Sequence, residues 1–213
     1  YLMFAIFQGD RLLVAGAYSL SDLGVFAVAS TLAMAPCLVI FKVSGMAALP
    51  ALARAQNDDE QFRRYFCLLA QGLALSAALL VVVMIIAGEN LIILLFGAKY
   101  REATALTIWL VIGQAFRILR GATTCAAMAK GDTANSLLAN LWRLSGLLLV
   151  APVILLKLDL RWVAVAGGIG ELLALLTSLL RLRTKQGLPP GDCLYPAALM
   201  LGLGLLAFFA KEL

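Results

Sequence analysis

From Tyr65 to Ala87 the chain runs without a single charged side chain, long enough for a helix to cross the roughly 30 Å hydrocarbon core of a bilayer, which takes about 20 apolar residues. The pattern recurs. Stretches that qualify or nearly do are Tyr1–Tyr18, Gly24–Leu49, Tyr65–Ala87, Ala103–Met128, Ala134–Leu156, Trp162–Leu180 and Leu194–Ala210. The fold expected is an all-α membrane protein, a bundle of about seven transmembrane helices. Composition agrees: 63% of residues are hydrophobic, 14% are charged and the mean hydropathy is +0.97. A soluble domain carries about a quarter charged residues and cannot bury so much apolar surface.

The connections between spans are short, as in helical bundles. Residues 51–64 read as an interfacial helix leading into the third span, with Asn57 and Glu60 at the spacing of a capping box. Leu91–Phe96 is too short to cross and reads as an interfacial or re-entrant turn before Gly97. The chain opens at Tyr1 inside an apolar run with no basic segment ahead of it, which speaks against a signal peptide and for a missing upstream portion.

Lys and Arg sort to cytoplasmic loops. Arg54, Arg63, Arg64, Lys130, Arg181, Arg183 and Lys185 fall on one side, and Lys99, Arg101, Lys157, Arg161 and Lys211 on the other. The excess predicts a cytoplasmic position for the loops near 51–64, 129–133 and 181–193. The formal charge of +5 thus has a membrane explanation, and without a basic cluster on a water-facing surface no nucleic-acid partner is expected. Histidine is absent, which removes the usual general base. Cys37, Cys67, Cys125 and Cys193 have no C-x-x-C spacing and read as isolated apolar cysteines. No metal, cofactor or catalytic residue is expected, and the chain does not read as an enzyme.

The informative residues are the charges inside the spans: Asp10 and Arg11 in the first, Lys42 in the second, Arg117 and Arg120 in the fourth, Arg143 in the fifth, Glu171 in the sixth. Each costs roughly 2.5–3.5 kcal/mol at a helix centre, so such residues face protein or a wet cavity. Arg117 and Arg120 are three apart and share a helix face. A guanidinium donates paired hydrogen bonds and stays charged, which suits phosphate. The alternative is structural, with the arginines capping carbonyls or pairing with Glu171 and Asp10. Lys42 is near enough to the span's end to snorkel, and Arg143 is read likewise. Glu171 is either a proton or cation site or the partner of an arginine. Pro36 is either a gating kink or an ordinary membrane proline. Ala164 with Gly168, and Ala166 with Gly170, would let another helix approach closely.

Several segments carry a resemblance. Asp10-Arg-Leu-Leu-Val-Ala-Gly16 and Leu23-Gly-Val-Phe-Ala-Val-Ala29 resemble the start of a lobe in the polysaccharide and lipid-linked oligosaccharide flippases, the O-antigen-type members of the MATE-like superfamily. Leu49-Pro-Ala-Leu-Ala-Arg54, Leu95-Phe-Gly-Ala-Lys-Tyr-Arg-Glu-Ala103 and Ala129-Lys-Gly-Asp132 are similar to later segments of that lobe, in order, over roughly residues 1–182. The resemblance implies two six-helix lobes working by alternating access in the bacterial inner membrane. Residues 1–182 would be the C-terminal lobe, and 183–213 a basic loop and one additional helix, with the N-terminal lobe of the same chain missing. It also implies a cationic cavity for a polyprenyl-pyrophosphate-linked glycan. By depth and charge that cavity maps onto Arg117, Arg120 and Arg11, with Arg143 and Lys42 as further candidates and Asp10 and Glu171 for coupling or ion pairing.

Two other readings compete. A cation-coupled drug exporter of the same superfamily would want acidic and aromatic residues around the cavity, against the excess of arginine here. A membrane-bound glycosyltransferase or polymerase would want carboxylates in sizeable loops, for which Glu102 and Asp159 are the few candidates.

Overall fold

The computed structural model describes residues 2–187 and Gly202, without the side chains of residues 2–8 and 10. The described residues form six α-helices and one short 3-10 turn, with no strand: α1 (Leu2–Ala17), α2 (Leu20–Arg54), α3 (Asp59–Phe96), α4 (Ala103–Ala129), α5 (Thr133–Leu155) and α6 (Leu160–Gln186), the turn Ala98–Tyr100 preceding α4. Five of them, α2 to α6, are long and apolar enough to cross a membrane. The protein is an all-α, multi-pass membrane protein. The stretch Leu194–Ala210, expected as a seventh span, lies outside the described residues.

Local chemistry sets the helix ends. Ser19 caps α2: its hydroxyl accepts from the Asp22 N–H at 3.1 Å while the Asp22 carboxylate accepts from the Ser19 N–H at 3.2 Å. Each interaction satisfies a backbone donor that the first turn leaves without a partner. At α3 the cap is Asp58, which accepts from the Gln61 N–H at 3.0 Å, and not the expected Asn57. α2 itself continues to Arg54, so residues 51–64 are not a separate interfacial helix. Leu91–Phe96 is likewise no re-entrant turn: it forms the last turns of α3, which Glu89 and Asn90 do not interrupt. The helix stops only at Gly97, whose φ of +93° few other residues tolerate. At 35 and 38 residues, α2 and α3 run for about 50 Å or more, well beyond the hydrocarbon thickness. α6 continues past Leu182, placing Arg183 and Lys185 in its last turn rather than in a loop, where positive charge is favoured by the helix dipole.

Helix α6 packs against α4 and α5, and α4 in turn against α2 and α3, while α1 touches α2 and α5. Small residues make the central contacts. A Cβ placed on Gly113 of α4 would lie 3.3 Å from the Gly168 Cα, and one on Gly146 of α5 would lie 3.3 Å from the Gly170 Cα. Gly168 and Gly170 are two residues apart, so α6 is approached closely from two sides. Away from these contacts large apolar side chains face outward, among them Leu79, Ile86 and Leu148, as lipid requires.

Polar ties hold one end of the bundle. Arg181 donates to both carboxylate oxygens of Asp132 at 2.9 Å, and Lys130 sits 3.2 Å from Asp59. At the other end the Tyr18 hydroxyl donates to the Leu158 carbonyl at 2.8 Å, and Arg101 pairs with Glu89 at 2.7 Å. Cys37 and Cys125 are free thiols. Cys67 is disulfide-bonded, so it departs from the expected isolated state.

Candidate functional site, an arginine-lined cavity

Gln114, Arg117, Gly121 and Thr124 recur on one stripe of α4, and Ser136, Asn140 and Arg143 recur at helical spacing on α5. Where the two stripes face each other a cavity of about 300 Å³ opens, lined by Arg117, Arg120, Ser136, Asn140 and Arg143, with Phe41 of α2 at its side. Arg117 and Arg120 are only 7% and 8% exposed, so neither reaches bulk solvent. Both lie well inside α4, as Arg143 does in α5. The Arg117 guanidinium lies 5.6 Å from the centre of the Phe41 ring, within cation–π range. Gly121 admits that ring: a Cβ there would come within 2.8 Å of it.

One carboxylate answers the three cations. Glu171, 4% exposed in the middle of α6, places Oε1 2.5 Å from Arg143 Nε and Oε2 3.7 Å from Arg120 Nη2. Three guanidiniums and one carboxylate leave the cluster with two net positive charges. The close packing of the glycines makes this geometry possible, since Glu171 directly follows Gly170 and Arg143 is less than one turn from Gly146. Glu171 and Arg143 also border a smaller cavity of about 50 Å³ with Gln114 and Phe26. Buried polar atoms without a hydrogen-bond partner gather here: Arg120 Nε, Gln114 Oε1 and Ser136 Oγ. Unsatisfied groups of this kind are uncommon in interiors, and each implies a missing partner such as water or ligand.

The remaining membrane charges go elsewhere. Arg11 is held at the α1–α2 contact, donating to the Ser30 hydroxyl at 2.8 and 3.2 Å and to the Thr31 hydroxyl at 3.2 Å. Lys42 is exposed. Neither lines the cavity of the three arginines. The Asp10 side chain lies outside the described residues. Glu102 and Asp159 are exposed and border a separate groove of about 770 Å³ at the end of the bundle that carries Arg101; there Asp159 accepts from the Arg161 N–H at 2.9 Å as the cap of α6.

Sequence reasoning did not reach Gln114, Ser136 and Asn140. Their signal was available: Ser136 and Asn140 stand at i and i+4 with Arg143 at i+7 on α5, and Gln114 lies three residues before Arg117 on α4.

Below the cavity a buried clasp joins α4, α5 and α6. The Thr123 and Ser178 hydroxyls are 2.6 Å apart, Ser178 donates to Asn135 Oδ1 at 2.7 Å, and Asn135 Nδ2 donates to the Ser178 carbonyl at 3.3 Å. These three helices are therefore fixed to one another immediately beside the charges.

A family described as "Polysaccharide biosynthesis protein" matches residues 1–105. The match spans the segments beginning at Asp10, Leu23, Leu49 and Leu95 and stops before Ala129. No curated protein and no solved structure matches the chain.

Proposed function

We propose that this chain is a lobe of a transporter that moves an undecaprenyl-pyrophosphate-linked oligosaccharide across the bacterial inner membrane. The observation that carries the reading is the convergence of Arg117, Arg120 and Arg143 on one cavity, with the Glu171 carboxylate paired to two of them. A net positive, poorly solvated cavity attracts an anion, and guanidiniums match phosphate oxygens in pairs. The match of residues 1–105 to a polysaccharide biosynthesis family supports a glycan attached to that anion.

On this reading the phosphates enter between α4 and α5, and the polyprenyl tail stays among the outward apolar side chains and lipid. The α4–α5–α6 unit, clasped through Thr123, Ser178 and Asn135, moves as one body against a second lobe. Binding favours one orientation of the cycle by as much as the ligand's affinity differs between the two.

The test is glycan export in cells expressing the full-length protein. Arg117→Ala should abolish export at unchanged protein level, while Lys42→Ala, outside the cavity, should leave it intact. Export that survives Arg117→Ala removes that residue from the mechanism. Transfer of sugar by the purified protein would favour the glycosyltransferase alternative, and resistance to cationic dyes on overexpression would favour the drug exporter.

A further inference from the structure

Arg143 borders both cavities; Arg117 and Arg120 border the large one only, and Glu171 the small one only. The contact is close but poorly bonded. Although Oε1 is 2.5 Å from Arg143 Nε, neither carboxylate oxygen makes an aligned hydrogen bond among the described residues, and Arg120 Nε makes none either. Charge alone holds the carboxylate there, while a tetrahedral anion entering from the large cavity would find Arg120 Nε and the Ser136 hydroxyl still to be satisfied.

We propose that Glu171 is a built-in counter-anion that competes with the ligand's phosphate for Arg120 and Arg143: loading the cavity displaces the carboxylate, and unloading returns it. The inference rests on the anion-binding reading above and adds a residue that sets how tightly the anion is held. The small cavity gives the displaced carboxylate a second position. Its volume of about 50 Å³ exceeds what a water molecule needs. Gln114 lies there with a buried amide oxygen that has no partner, and turning that amide by half a rotation presents N–H donors to an arriving carboxylate. A competitor of this kind solves a problem every carrier has, because a site must hold its cargo and also let it go. Three arginines without Glu171 would bind a pyrophosphate and keep it.

The experiment titrates the purified full-length protein in detergent with sulfate, a tetrahedral anion without lipid or sugar, and follows it by calorimetry. Glu171→Gln should bind sulfate about tenfold more tightly than the wild type, equivalent to roughly 1.4 kcal/mol, and should export glycan more slowly in cells despite the tighter binding. A merely structural glutamate would give weaker binding when replaced. Gln114→Leu, which removes the second position, should weaken sulfate binding several-fold. Arginine-dependent sulfate binding that is unchanged or weakened in Glu171→Gln overturns the competitor and leaves the anion site standing. If Glu171→Gln does not fold, an unchanged affinity in Gln114→Leu overturns it instead. Sulfate binding by neither the wild type nor Glu171→Gln, both folded, refutes the anion site and the competitor with it.

Discussion

Gly146 and Gly170 meet backbone to backbone: a Cβ built on Gly170 would lie 2.7 Å from the carbonyl oxygen of Arg143 and 3.0 Å from the Gly146 Cα. The neighbouring atoms are main chain, so they cannot rotate aside. The contact also fixes the distance between Arg143 and Glu171, the residue after Gly170.

Gly170→Ala should therefore separate α5 from α6 despite the better helix propensity of alanine. Overpacking of this kind costs about 1–3 kcal/mol. We expect a lower melting temperature in detergent, together with weakened sulfate binding, because the cluster is pulled apart. Gly72→Ala is the control, since a Cβ there meets nothing within 4 Å. It should be neutral or slightly stabilising by helix propensity.

The ion pair itself is open to a double-mutant cycle. Arg143→Leu strands the Glu171 carboxylate, 4% exposed, without its nearest cation. Removing one partner of a buried pair costs about 3–5 kcal/mol, whereas replacing both by apolar residues is often neutral. Arg143→Leu should thus destabilise the protein strongly, and adding Glu171→Leu should recover part of the loss but not all of it, because Arg120 then loses its carboxylate partner. Denaturant unfolding of the four proteins measures the coupling. Additive effects would mean that Arg120 alone holds Glu171.

The spans themselves were legible because apolar length is a one-dimensional property. Their ends were less so. Glu89 and Asn90 looked like a break, yet a polar pair inside a helix needs only a face to point from, and α3 ends where Gly97 turns to positive φ. The site was half legible. A charge in an apolar run reveals depth, and on that signal Arg143 and Lys42 are alike, both near enough to a span's end to snorkel. It does not reveal the rotation of one helix against another. That rotation comes from the Gly113–Gly168 and Gly146–Gly170 contacts, which turn Arg143 towards the cavity, while Arg11 is held by Ser30.

Acid should loosen the clasped end of the bundle. Asp132, in the turn between α4 and α5, receives two hydrogen bonds from Arg181, and this donation holds its carboxyl below the usual 3.8. A group with a depressed native pKa adds stability that is fully present above the unfolded value and is lost as pH falls through the folded one. The loss therefore falls below pH 3.8. Solvent screening keeps the effect of such a partly exposed pair small. Asp132→Asn should lower the melting temperature at neutral pH and flatten this part of the acid limb, as thermal melts from neutral to roughly pH 3 would show.

Two helix ends with the same geometry call for opposite substitutions. After α4, Gly131 adopts φ +76°, and the Asp132 N–H reaches back to the Ala127 carbonyl at 2.8 Å. After α5, Lys157 adopts φ +50°, and the Leu158 N–H reaches back to the Val153 carbonyl at 3.0 Å. Both complete the six-to-one hydrogen bond of a left-handed helix stop. Glycine enters that region without steric cost, whereas a side chain brings Cβ against the carbonyl for about 1–2 kcal/mol. Gly131→Ala should accordingly destabilise the protein by about 1 kcal/mol and Lys157→Gly should stabilise it by up to a similar amount, with sulfate binding unchanged in both. Thermal melts in detergent decide the signs. A stabilising Gly131→Ala would mean that the α4 stop is not left-handed, and a destabilising Lys157→Gly would mean that the lysine side chain contributes more at that end than its backbone strain removes.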